Sequence, residues 1–139
     1  MQSAATPDMS LVVDASIVLR LLVHTGASGR TVRTAVADED LHAPHLIDVE
    51  VASGLRRLAA AKTVTAGRAA AALADLAALN LDRYPHLYLL PRIWQLRANL
   101  SAYDATYAAL AETLGCSLLT SDRGLATAPG PRCARQHLS

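Results

Sequence analysis

Leu11-Val12-Val13-Asp14-Ala15-Ser16-Ile17 is the stretch that decides the fold class. An apolar, β-branched run stops on a carboxylate and passes at once into helical apolar spacing at Ile17, Leu21 and Leu22. That pattern reads as a buried parallel strand, Leu11–Asp14, feeding a helix over Ala15–Val23 with Ser16 able to cap its start. The same signature recurs late in the chain, where Cys116–Thr120 is an apolar strand running into Ser121-Asp122. Between the two, Gly26 and Gly29 punctuate before a helix over Arg30–Ala37, and Leu41–Ala43 is a minimal strand stopped by Pro44. Ile47, Val51, Leu55 and Leu58 recur at helix period across Leu46–Ala61. Thr65 caps a helix over Ala66–Leu79, Leu81–Tyr84 is a strand, and residues 86–98 form a helix with Pro91 in its first turn. Ser101 and Gly115 bracket a helix over Ala102–Leu114, and a last strand falls near Arg132–Arg135 after the Pro129 and Pro131 turn. Short strands alternating with helices predict right-handed crossovers and a short central parallel sheet covered on both faces, an α/β architecture. Sites in such sheets form outside the carboxyl ends of the strands, which puts Asp14 and Asp122 on one rim.

Composition narrows the class. A length of 139 residues fits one domain with a real core, and 52% hydrophobic content argues against disorder. Phe is absent and only Trp94 and four tyrosines supply rings, so the core is expected to be aliphatic and helix-rich. No run reaches the roughly 18 apolar residues of a membrane span. The segment before Ser10 lacks a basic-plus-apolar signal pattern. Residues 1–9 read as a loose tail, disordered or a start-site extension with Met9 as an alternative start, and residues 10–139 as a single domain. Cys116 and Cys133 have no metal-type spacing, which points to reduced thiols and a cytoplasmic location. A net charge of +1 excludes a general nucleic-acid coat, so any RNA contact is made by a local groove.

Four carboxylates stand within or beside apolar runs, where a lone charge is costly to bury. Asp14 ends its strand and is either a metal ligand or the N-cap of the next helix, a role Ser16 could equally fill. Glu50 has a rival in Asp48, since both flank the apolar stripe of their helix at similar angles, and periodicity does not choose between them. Asp104 occupies the first turn of an almost uncharged helix, flanked by Tyr103 and Tyr107, and its alternative reading is a helix N-terminal acid. Asp122 is a site acid or a turn acid capping the helix after it, and Thr120 offers a hydroxyl on the same rim to orient a metal-bound water. Glu112 lies roughly 12 Å along the helix from Asp104 and reads as structural or exposed.

The order of these motifs, Val12-Val13-Asp14-Ala15-Ser16, then Val49-Glu50-Val51, then Ala102-Tyr103-Asp104-Ala105-Thr106-Tyr107, then Leu118-Leu119-Thr120-Ser121-Asp122, resembles the PIN-domain nucleases. Within them it resembles the VapC-type toxins of bacterial toxin–antitoxin pairs. The resemblance runs from Leu11 nearly to the end, and is best over Leu100–Asp122. It implies a three-layer α/β/α PIN fold and a metal-dependent endoribonuclease that hydrolyses phosphodiester bonds in RNA. It implies Asp14 and Asp104 as the most direct metal ligands, with Glu50 and Asp122 completing a catalytic set of four. It also implies a cognate VapB-type antitoxin and a homodimer.

The chemistry agrees with that set. Phosphodiester hydrolysis needs an activated water and charge relief on phosphate and leaving oxygens, which divalent ions supply. An acid-only site points to Mg²⁺ or Mn²⁺, and His24, His42, His45, His86 and His137 are scattered without a zinc-type pair. Arg56, Arg57 and Arg123 neighbour the acidic motifs and are candidates for RNA contact. Unpaired RNA, including a structured tRNA or rRNA loop, is the expected substrate class. An aspartyl-phosphate phosphatase is disfavoured because Ser16 stands where a second acid is needed, and no Gly-rich phosphate loop with its Lys exists. The rival from another class is a catalytically silent PIN-like binding module acting through protein partners.

Overall fold

Val12 and Val13 are wholly buried, as a strand covered on both faces requires. They belong to β1 (Ser10–Val13), the centre of a sheet that this computed structural model describes within residues 9–139. The tail expected over residues 1–9 lies, apart from Met9, outside the described residues. The sheet also contains β2 (Asp40–Pro44), β3 (Asp82–Tyr84), β4 (Ser117–Thr120) and β5 (Arg135–His137), all parallel, in the order β3-β2-β1-β4-β5. The chain therefore steps outward from β1 to β3 on one side and returns to build β4 and β5 on the other. The strand order reverses between β1 and β4, and open parallel sheets hold their ligands at such a reversal.

Helices α1 (Ala15–Val23), α2 (Gly26–Val36), α3 (Leu46–Ala60) and α4 (Ala66–Ala78) pack as a group, with α1 touching the other three. Helix α6 (Ala102–Leu114) lies against β1, β2 and β4, backed by α5 (Leu90–Gln95). Every residue from Ala105 to Ala111 is buried, the state expected of a helix that is apolar all round. A short α7 (Arg123–Thr127) follows β4. The three-layer α/β arrangement expected from the pattern is the one observed. Gly54 lets α1 and α3 close up, since a Cβ there would meet Leu19 Cδ1 at 2.5 Å.

Several local expectations need correction. Helix α2 begins at Gly26, not Arg30, so both glycines lie within it. Gly26 takes a left-handed φ of +67° on leaving α1, and a side chain at Gly29 would collide with the His24 carbonyl oxygen. The glycines mark a tight junction between helices and not a loop. Pro44 does not stop β2 but is its last residue, opposite Tyr84. The helix expected over residues 86–98 shortens to a 3₁₀ turn (Leu87–Leu89) and α5, with Pro91 in the first turn as read. The last strand begins at Arg135, because pairing with Leu118 sets its register, and Leu118 N donates to Ala134 O at 2.9 Å. Cys116 and Cys133 are both free thiols. Among the described residues no helix is long and apolar enough to cross a membrane.

Candidate active site

The carboxyl ends of β1 and β4 meet through Asp14. Its Oδ1 accepts hydrogen bonds from Ser16 Oγ at 2.5 Å and from the Ile17 N–H at 3.2 Å, and its Oδ2 accepts from Thr120 Oγ1 at 2.5 Å. Asp14 itself is thus the N-cap of α1, and Ser16 is not. Ser16 instead orients Asp14 while accepting the Ser121 N–H at 2.9 Å, so it fastens the β4 loop to the β1 loop. Thr120 is fully buried, and its hydroxyl proton goes to Asp14 while its oxygen accepts the Asp122 N–H at 2.9 Å. It holds a carboxylate in place, and is not the free hydroxyl for a water that the sequence suggested. Burial lifts the Asp14 carboxyl above its usual range, the bonds from Ser16, Thr120 and Ile17 oppose that, and the charge of Asp122 adds to it.

Asp104 sits in the first turn of α6, where Ser101 Oγ caps the helix by accepting the Asp104 N–H at 3.1 Å. Capping is therefore done by another residue, which leaves the Asp104 carboxylate unspent. Its pKa is pushed up to about 6, first by burial and then by the negative charges of Asp122, Asp14 and Glu50. Three acids distant in sequence thus act on Asp104 across one rim. Asp122 is exposed and also caps α7, accepting the Gly124 N–H at 2.9 Å.

Glu50 and Asp48 are told apart by their partners. Asp48 takes the Arg83 Nε at 2.9 and 3.0 Å, an ordinary structural ion pair. Glu50 accepts from Tyr107 Oη at 2.5 Å and contributes to the field at Asp104. Tyr107 is 1% exposed, and burial followed by Glu50 suppresses its ionisation, so it is a fixed hydrogen donor. Sequence reading gave Tyr107 no role, although its place three residues after Asp104 puts it on the same helical face. Arg20 and Ser121 were missed as well. Arg20 Nη1 donates to Ser121 Oγ at 2.8 Å and to Leu138 O at 2.9 Å, contacts 101 and 118 residues apart that no local pattern encodes.

Other candidates lie elsewhere or are exposed. Glu112 is structural, as read: it accepts from Arg92 at 2.8 and 3.1 Å and from the Arg132 N–H at 2.7 Å. Arg56 and Arg123 are exposed, and Arg57 donates to Ser53 Oγ at 3.1 Å. His42 and His24 bond Tyr84 Oη and Ser28 Oγ, each at 2.8 Å. Among the described residues no group of three or more His, Cys, Asp or Glu side chains is arranged to hold a metal ion.

Residues 11–131 match the PIN domain, a span that contains all four acids. The chain belongs to the PIN-domain family. Within the family it groups with the VapC proteins: it is 47% identical over 123 residues to Ribonuclease VapC9 of Mycobacterium tuberculosis, covering 88% of this chain and 94% of that one. A Pyrobaculum aerophilum protein of known crystal structure shares the fold with a TM-score of 0.66 and 26% identity, over 91% of this chain and 83% of that one. VapBC2 from Rickettsia felis, crystallised with a DNA fragment from its promoter, superposes with a TM-score of 0.67 at 11% identity, over 94% of this chain and 100% of that one. Both likenesses cover more than nine-tenths of this VapC-type chain.

Proposed function

We propose that this VapC-type chain is an endoribonuclease toxin that hydrolyses RNA at the rim formed by Asp14, Glu50, Asp104 and Asp122, with Mg²⁺ or Mn²⁺, and that a cognate antitoxin neutralises it. The observation that carries this reading is Asp104, whose carboxyl is raised to about 6, first by burial and then by the charges of Asp122, Asp14 and Glu50. Mutual repulsion of that kind is what a bound cation relieves. The donors are all hard oxygens, and Mg²⁺ is commonly bound through one or two carboxylates, with water and substrate phosphate completing its shell. Asp14 and Asp104 are the residues to hold the ion, which when bound supplies charge relief on the phosphate and a more acidic water.

The chain's own groups have separate tasks in this reading. Ser16 and Thr120 fix both oxygens of Asp14 before substrate arrives. Tyr107 fixes Glu50, leaving its second oxygen to receive a proton from an attacking water. Tyr103, 61% exposed beside Asp104, presents a flat ring on which an unpaired base can stack. A looped tRNA or rRNA segment suits such a surface. The exposed apolar side chains of Leu87, Leu90 and Trp94 support a homodimer through the α5 side.

The test is cleavage of RNA by purified protein with Mg²⁺, Mn²⁺ or EDTA, alongside Asp14→Asn and Asp104→Asn. The expected result is cleavage lost with EDTA and in both variants. Equal cleavage by wild type and variants would overturn the assignment of the site, and a metal-induced rise in melting temperature that survives the double substitution would overturn the ion's ligands.

A further inference from the structure

Arg20 is buried to 7% exposure, yet among the described residues no carboxylate pairs with it. Its terminal nitrogens donate to neutral oxygens of Ser121, Leu138 and Ser28. Its Nε is buried with no acceptor at all. A guanidinium is always charged, so burying it against neutral acceptors is costly unless something anionic completes its surroundings. It lines a cavity of about 310 Å³ whose floor is Leu19, Gly54 and Leu58 and whose polar wall is Ser16, His24, Arg57 and Ser121, with no Asp or Glu in the lining. The Ser16 proton is committed to Asp14 and His24 Nδ1 to Ser28, so the cationic donors left for an oxyanion are the unpartnered Arg20 Nε and the exposed Arg57 guanidinium.

The cavity adjoins the acidic rim. Ser16 is bonded to Asp14, and Ser121 lies between Thr120 and Asp122. An all-acidic rim repels a polyanion, so a cationic pocket beside it is what draws the strand in and sets its register. We propose that this cavity is a phosphate subsite for the RNA, holding a backbone phosphate adjacent to the one attacked, with Arg20 and Arg57 as its ligands. The inference rests on the nuclease reading of the rim. Arg20 is the preformed part of the subsite, locked by Ser121 and Leu138. Arg57, exposed on α3, closes over the phosphate from the other wall.

The test measures binding of a fluorescently labelled, mixed-sequence single-stranded RNA by anisotropy, in an Asp104→Asn background so that the probe is not cut. Affinity is followed across about 50 to 300 mM salt, and the log–log slope should become shallower by about 0.7 for each phosphate contact removed. Arg57→Gln and Arg20→Gln should each weaken binding and flatten the slope, whereas Arg132→Gln, at the far end of the sheet, should change neither. If Arg20→Gln does not fold, Arg57→Gln alone decides, because its side chain is exposed. An unchanged slope in Arg57→Gln, from a protein whose wild type cleaves RNA, would overturn the subsite while leaving the nuclease intact. Tighter retention of an oligo-aspartate peptide than of RNA would reassign the pocket to an acidic protein segment and overturn it as well. A wild type that neither binds nor cuts RNA would fail earlier, on the activity beneath the inference.

Discussion

Helix α6 carries an acid near each end, and the two are opposites. At its first turn Asp104 faces three other carboxylates and is pushed up to about 6, by burial and then by Asp122, Asp14 and Glu50. At its last turn, burial also works against ionisation of Glu112, but the Arg92 hydrogen bonds, the Arg132 N–H and the nearby positive charges outweigh it, and the carboxyl falls below its ordinary value. One end is satisfied and ties α5 and the β5 approach to the helix. The other is left among like charges with no cation beside it among the described residues. Within a single helix, the sign of the pKa shift separates an acid paired into the fold from one left among like charges, the pattern of a functional site.

That contrast can be broken by mutation. The largest expected effect is Asp104→Asn, which should lower the RNA cleavage rate by roughly 10²–10⁴-fold, whereas Glu112→Gln should leave the rate per folded molecule unchanged. Steady-state cleavage of one RNA by both variants checks it, and equal losses would erase the distinction. Next is stability. The Arg92–Glu112 pair is well over half buried, and unpairing it through Glu112→Gln should cost about 2–4 kcal/mol, between the figures for surface and buried pairs. Denaturant titration gives that number, and a loss confined to a few tenths would place Glu112 among exposed acids. Smaller again is Thr120→Val, which strips Asp14 Oδ2 of its donor and should reduce cleavage about 10–100-fold, as loss of an orienting partner generally does.

The finest effect is in the pH dependence, and here the two ends should move in opposite directions. Asp104 binds its proton more tightly when folded, so its charge costs stability above about 6, and that cost disappears as pH falls toward the unfolded value of 3.8. Metal-free Asp104→Asn should therefore melt higher than wild type at pH 7.5, with the gain gone near the lower of those two values. Glu112 holds its proton less tightly when folded, so its contribution is present above 4.5 and lost below it. Glu112→Gln should melt lower at neutral pH and converge with wild type in acid. Parallel melting curves across pH would show that both acids see the same surroundings.

What the chain reveals before folding divides along the same line. Strand β1 with its terminal Asp14, and α6 with Ser101 at its start and Gly115 at its end, are written in adjacent residues, because apolar period and caps are local properties. Placing Asp14 and Asp122 on one rim needed only the rule for strand ends. Glu50 against Asp48 was not decidable locally, because the difference lies in Tyr107 and Arg83, 57 and 35 residues away. Thr120 and Ser16 were misjudged for a related reason: each hydroxyl has several partners to choose from, and only the β1–β4 register selects one. Arg20 was invisible, since nothing in Leu19-Arg20-Leu21 tells a buried arginine from a solvated one. The start of α2 was missed because glycine marks a close approach as often as it marks a break.

The bond from Thr120 to Asp14 joins residues 106 apart, and it is among the last contacts a growing chain can make. Strand β1 leaves the ribosome early, but its neighbour β4 and the first turn of α6 follow only when most of the polypeptide exists. During synthesis the early segment carries Asp14 with neither Thr120 to hold it nor Asp104 to face it. The order of the strands therefore works as a delay: nearly the whole polypeptide must be made before the four acids can stand on one rim.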